Sequence, residues 1–120
     1  MSHIVLIRTQ VRDPVAITAA CSRLQLPAPV QRTVRLFSAE ATGLAVELPG
    51  WRYPIVCQTD TGEVKYDDFG GRWGDRRQLD KFLQAYAVER VKLEARRQGQ
   101  TAIEQPLADG SIRIQIAVTG

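Results

Sequence analysis

Apolar and polar residues alternate along this chain with two different periods, and the switches between them mark out nine elements. Residues 3–9 carry a β-branched apolar run, Ile4, Val5, Leu6 and Ile7, on both faces. That predicts a strand covered on both sides, and hence a central one. Asp13-Pro14 predicts a helix start, because aspartate accepts hydrogen bonds from the first free amides and proline at the first helical position gives none up. Ile17, Ala20, Cys21 and Leu24 recur at helical spacing until Pro27 and Pro29 end the helix. Strands follow over residues 32–37 and 42–48. In the second, Leu44, Val46 and Leu48 alternate with Ala45 and Glu47, so one face is buried. Pro49-Gly50 breaks the pattern, Trp51 to Pro54 make an aromatic connection, and residues 55–58 resume a strand. Asp60-Thr61-Gly62 supplies a tight turn into residues 63–67, which return antiparallel with Val64 and Tyr66 on one side.

The stretch from Asp67 to Gly74 is too rich in glycine for a regular element. Asp75 then opens the longest helix, with Gln78 three residues on as in a capping box that has aspartate in place of serine or threonine. Leu79, Phe82, Leu83, Tyr86, Ala87 and Leu93 share one face, and Arg90 falls inside that stripe, its stem able to lie along apolar surface. The helix is expected to end near Gly99, with Arg96 and Arg97 well placed against its C-terminal dipole. A hairpin closes the chain: residues 101–107 pair through Asp109-Gly110 with residues 111–118. Ile112, Ile114, Ile116 and Val118 point one way, Arg113 and Gln115 the other. The order is β-α-β-β-β-β-α-β-β. Two helices cannot cover both faces of seven strands, so the pattern predicts one α+β domain over residues 1–120: a largely antiparallel sheet with both helices packed on one face. In that arrangement the last strand is well covered, with Ile112, Ile114 and Ile116 facing the helices.

Composition narrows the function more than the fold. An apolar fraction of 44% and a charged fraction of 24% belong to a globular chain rather than a disordered one. The net charge of +3 is a mild excess, spread along the chain with one denser region from Arg72 to Arg97, and reads as solvated basic surface. The two cysteines, Cys21 and Cys57, form no CxxC pair, and His3 is the only histidine. A structural zinc site needs about four ligands in paired spacing, so neither metal nor cofactor is expected. Cys21 on a helix and Cys57 on an apolar strand predict buried free thiols, which suits a reducing compartment. No stretch approaches the roughly twenty apolar residues of a membrane span. The run from Ile4 to Ile7 is cut at Arg8 and has no basic segment before it, so no secretory leader is expected either. The expected location is cytoplasmic.

The second half carries a family resemblance. Phe82-Leu83-Gln84, Tyr86-Ala87, Gly99 and Asp109-Gly110-Ser111-Ile112-Arg113 occur in an order and spacing that resembles the uncharacterised family typified by conserved plastid reading frame thirty-five, found in algal plastids, cyanobacteria and other bacteria. Ser2-His3-Ile4 with Thr9, and the acidic-aromatic loop ending at Trp73, are similar too. The match is dense from Trp73 onward. The chain departs from it at its end, Val118-Thr119-Gly120, where the plastid members finish on an Arg-Trp-like terminus. The resemblance implies a protein of plastid or bacterial type that works with other proteins, in the stroma for plastid-encoded relatives. It supplies no activity and no catalytic residues.

One loop stands out for chemistry. Between Asp67 and Asp75, two adjacent carboxylates precede a glycine pair, an arginine and a tryptophan, and a helix N-terminus follows. Read as a binding platform, Trp73 offers a stacking face and Arg72, Arg76 and Arg77 offer charge, while Tyr86 and Arg90, one and two turns along the helix, extend the patch. Read as structure, Phe69 and Trp73 anchor the loop on the core and Asp75 caps the helix. Asp67 and Asp68 as an acid/base or magnesium pair require a kink, because neighbours on an extended chain face opposite ways. His3 has no partner placed beside it and reads as a surface or sheet-edge histidine. No dinucleotide or P-loop fingerprint occurs. The pattern favours a non-enzymatic interaction module that binds another protein. A single-stranded nucleic-acid binder comes second, using Arg72, Arg76, Arg77, Arg96 and Arg97 for phosphates and Trp73 for stacking. An enzyme whose pocket the sequence hides is the third reading.

Overall fold

The computed structural model describes residues 4–7 and 10–118, and His3 lies outside them. Its elements are β1 (Ile4–Ile7), α1 (Pro14–Arg23), β2 (Val30–Arg35), β3 (Glu40–Val46), β4 (Ile55–Gln58), β5 (Glu63–Asp67), α2 (Arg76–Arg97), β6 (Gln100–Pro106) and β7 (Ile112–Val118). This is the anticipated order, and the fold is α+β with an antiparallel sheet and two helices. Five strands form the main sheet in the order β1-β5-β4-β3-β2, every neighbouring pair antiparallel. From β2 to β5 the chain simply meanders. β1 joins at the far side, with Ile4 opposite Asp67 and Ile7 opposite Val64. It is therefore an edge strand and not the central one its two-faced apolar run suggests.

Alternation within the strands decides what each face meets. Leu44, Val46 and Leu48 in and after β3, Ile55 and Cys57 in β4, and Val64 and Tyr66 in β5 turn toward the helices. There they pack with Ala16, Ile17, Ala20 and Cys21 of α1 and Leu79, Phe82, Ala85 and Tyr86 of α2. Burial of a side chain such as Phe82, fully removed from solvent, is worth about 2–3 kcal/mol by the area rule. Asp13 caps α1 as expected, its carboxylate accepting from the amides of Val15 (2.9 Å) and Ala16 (3.4 Å). The opposite sheet face carries a smaller cluster, Val34, Leu36, Ala41, Ala45 and Val56, with Tyr53 packed against it.

The closing hairpin is not part of this sheet. Among the described residues β6 and β7 pair only with each other. The reason is the shortness of the connection. Gly99 (φ 69°) turns the chain, and β6 begins at Gln100, so the strand doubles back along α2 before it can reach a sheet edge. Lys92 of α2 and Arg23 of α1 both meet Glu104 of β6, at 3.9 and 2.6 Å, and Gln84 donates to the Gly110 carbonyl at the hairpin turn (3.0 Å). Val88 and Ala95 are buried yet belong to neither core cluster; they lie on the helix side shared by Gln84 and Lys92, beneath the hairpin. α2 thus has two apolar stripes where the sequence showed one. The isoleucine row of β7 is only partly covered: Ile112 and Ile114 are half-buried and Ile116 is 40% exposed. The expectation of a last strand sandwiched against the helices is corrected accordingly.

Candidate interaction site

Three loops far apart in sequence converge beyond the smaller core cluster. The β2–β3 turn brings Phe37, the β3–β4 connection brings Arg52 and Tyr53, and the β5–α2 loop brings Phe69, Arg72 and Trp73. Trp73 sits at the centre. Phe69 stacks on it with centroids 4.5 Å apart, and Phe37 and Tyr53 meet it at tilted and edge-on angles, at 5.4 and 5.7 Å. These are favoured aromatic geometries. The Arg52 guanidinium lies over the Trp73 ring at 4.8 Å, and that of Arg72 over Phe69 at 5.3 Å. Phe37 is the outermost ring, 60% exposed, while Tyr53, Phe69 and Trp73 are half-buried.

Backbone bonds hold this arrangement. The Arg52 amide donates to the Trp73 carbonyl (2.8 Å), and the amides of Gly71 and Trp73 both donate to the Asp68 carbonyl, at 3.0 and 2.9 Å. Phe69, Gly70 and Gly71 run consecutively through positive φ, at 48°, 63° and 94°. For a bulky residue such as Phe69 that conformation costs on the order of 1 kcal/mol or more. The two glycines are explained by the same winding, and Gly74 by contact, since a Cβ there would run into the Trp51 ring. The three glycines therefore serve the loop's own geometry and are not evidence for a partner.

The residues expected to form one patch separate into distinct settings. Arg72 and Trp73 belong to the aromatic cluster. Arg76 bonds Asp80 (3.1 Å) and donates to the Tyr66 hydroxyl (3.0 Å), on the helix side of the sheet. Burial pushes that hydroxyl's pKa up, and the Arg76 charge pulls it back. Arg77 is tied to Asp75 at 2.9 Å, which holds the carboxyl below its usual range. Arg90 pairs with Glu94 (3.2 Å) and lies 3.9 Å from Asp13. Tyr86 is 6% exposed and does not extend any surface. Its hydroxyl accepts from the amides of Arg12 and Asp13 (both 3.1 Å) and lies 3.3 Å from the Gln10 carbonyl, fixing the segment that leads into α1. Phe37, Arg52 and Tyr53 were missed by the sequence reading. Their signal was an aromatic in or beside a turn, invisible as a site until the turns are brought together.

Asp67 and Asp68 part company as strand geometry requires. Asp67 is fully buried with no hydrogen-bond partner among the described residues on either carboxylate oxygen; Asp68 is half-buried at the loop. A hollow of about 600 Å³ between Gln31, Gln58, Glu63 and Lys65 includes neither. Among the described residues no group of three or more histidines, cysteines or acids is placed to hold a metal. No helix among them is long and apolar enough to cross a membrane. No family model, curated protein or solved structure matches the chain.

Proposed function

We propose that the protein is a non-enzymatic interaction module that docks another protein on the aromatic cluster around Trp73. The observation that carries this reading is Phe37: a large ring left 60% exposed and packed on Trp73, the ring that also holds Phe69, Tyr53 and the Arg52 guanidinium, with Arg72 over Phe69. Aromatic and arginine side chains are the residue types that dominate binding energy at protein interfaces. Because the rings already support one another, a partner meets a preorganised surface and little ordering entropy is lost. The cell location that goes with this reading is the cytoplasm, or the stroma in the plastid family that the chain resembles.

The same exposed ring on a cluster that carries two arginines also favours the second reading, a base stacked on Phe37 with phosphates at Arg52 and Arg72. One experiment separates them. Tagged protein is recovered from its native cell with and without nuclease, as wild type and as Phe37→Ala. The expected result is a protein partner that survives nuclease and is lost with Phe37→Ala, while the melting temperature of the variant stays close to wild type. Recovery that depends on nucleic acid would transfer the site to the second reading. A partner retained in full by Phe37→Ala would remove the cluster as the docking surface.

A further inference from the structure

The open edge of the closing hairpin carries a second surface, separate from the aromatic cluster. Among the described residues β7 pairs with β6 alone, and α2 packs chiefly along β6, so the outer edge of β7 has no strand beside it there. The pairing register fixes which backbone groups line that edge. The Leu107 amide donates to the Ser111 carbonyl (2.9 Å), which makes this a hydrogen-bonded pair. Hydrogen-bonded and non-bonded pairs alternate along an antiparallel ladder, so Gln105–Arg113 and Ile103–Gln115 are bonded pairs as well. The amides and carbonyls of Ile112, Ile114 and Ile116 therefore point outward, away from β6. The side chains of these isoleucines form the half-covered apolar row on one face, and Arg113 and Gln115 are exposed on the other.

We propose that this edge is the seam of a homodimer, in which β7 pairs antiparallel with β7 of a second copy about a twofold axis through Ile114. The sequence Ile112-Arg113-Ile114-Gln115-Ile116 is complementary to itself when read in reverse. In that register Ile114 faces the partner's Ile114, and Ile112 faces the partner's Ile116. All three present outward amides and carbonyls and become bonded pairs. On the other face Arg113 lies opposite the partner's Gln115, a neutral acceptor. Centring the axis on Arg113 would set two guanidiniums face to face, which is destabilising. The chosen register joins two marginal two-stranded ribbons into a four-stranded sheet whose isoleucine rows lie side by side. It also removes an open edge of the kind that proteins otherwise protect with charge or bulges.

Charge at position 115 tests this register. Gln115 is exposed and its partner within the hairpin is Ile103, so neither Gln115→Glu nor Gln115→Arg disturbs a buried contact. Sedimentation equilibrium of the full chain, over a concentration series at low and high salt, reads the dimer dissociation constant. Wild type is expected to dimerise. Gln115→Glu sets a carboxylate opposite the partner's Arg113 at both ends of the seam and should tighten the dimer roughly 2- to 30-fold at low salt, an effect lost at high salt. Gln115→Arg should weaken it by a similar factor. Thermal melts followed by circular dichroism establish that both variants fold. A wild-type chain that sediments as monomer at every concentration overturns the proposal, leaving the edge to a foreign strand. A dimer indifferent to both substitutions overturns it as well.

Discussion

Removing one oxygen atom tests the role that the structure gives Tyr86. In Tyr86→Phe the ring keeps its place among the buried residues of α2, and only the hydroxyl is lost. The amides of Arg12 and Asp13, each 3.1 Å from that oxygen, lose their acceptor in the part-buried space between α2 and the start of α1. An orphaned donor costs about 1–3 kcal/mol when fully buried and less when water can reach it, so two half-shielded amides should together cost about 2 kcal/mol. For a chain of 120 residues the unfolding entropy makes 1 kcal/mol worth about 4 °C, so the melting temperature should fall by about 8 °C. Amide exchange at Arg12 and Asp13 should accelerate more than at α2, because the loss is local to the α1 lead-in. The assay is a thermal melt paired with hydrogen exchange. A change under about 0.5 kcal/mol, with exchange at Arg12 and Asp13 unaltered, would refute the bridging role. If stability held while a partner was lost, Tyr86 would return to the binding surface that the sequence suggested for it.

Two other perturbations follow from close packing and from burial. In Gly74→Ala the new methyl would overlap the Trp51 ring, which is held edge-on to Tyr66 (5.5 Å) and bonded to the Asp75 carbonyl (3.0 Å); a loss of about 1–3 kcal/mol is expected in urea unfolding, and a loss below about 0.5 kcal/mol would mean the ring swings free. Burial pushes the thiols of Cys21 and Cys57 up to about 11 and about 12 from 9.0, so the folded state holds protons that the unfolded chain releases. Their contribution to stability is present below pH 9 and lost as pH rises through 11 to 12. Cys57→Val should flatten that alkaline decline in a pH series of melts, and an unchanged slope would show that the Cys57 thiol does not contribute to it.

Local signals in the chain proved legible where one element answers to its own residues. Asp13-Pro14 marks the start of α1, and the alternation of Leu44, Val46 and Leu48 gives the buried face of β3, because capping and pleat are set within a few residues. What escaped was set by tertiary neighbours. Val88 and Ala95 did not extend the stripe of α2 because their cover, the hairpin, is a second surface on another side of the helix. Arg90, placed by the sequence inside the stripe and in the binding patch, instead spends its head on Asp13 and Glu94. The aromatic cluster was half legible. Arg72 and Trp73 announced themselves in one glycine-rich loop, while Phe37 and Tyr53 arrive on turns between strands that only the sheet order places alongside.

The meander from β2 to β5 pairs only strands adjacent in the chain, whereas β1 must wait for β5, roughly sixty residues downstream. Loop-closure entropy rises with the logarithm of the spacing, so each hairpin of the meander can close before the terminal strand meets its partner. β1 is then a late clasp laid on an already formed scaffold. During synthesis β1 emerges before β5 and must wait for it. Until then it is an apolar segment without a sheet, and β5 an open margin without its guard, which makes the interval between them an aggregation-exposed stage in the life of the chain.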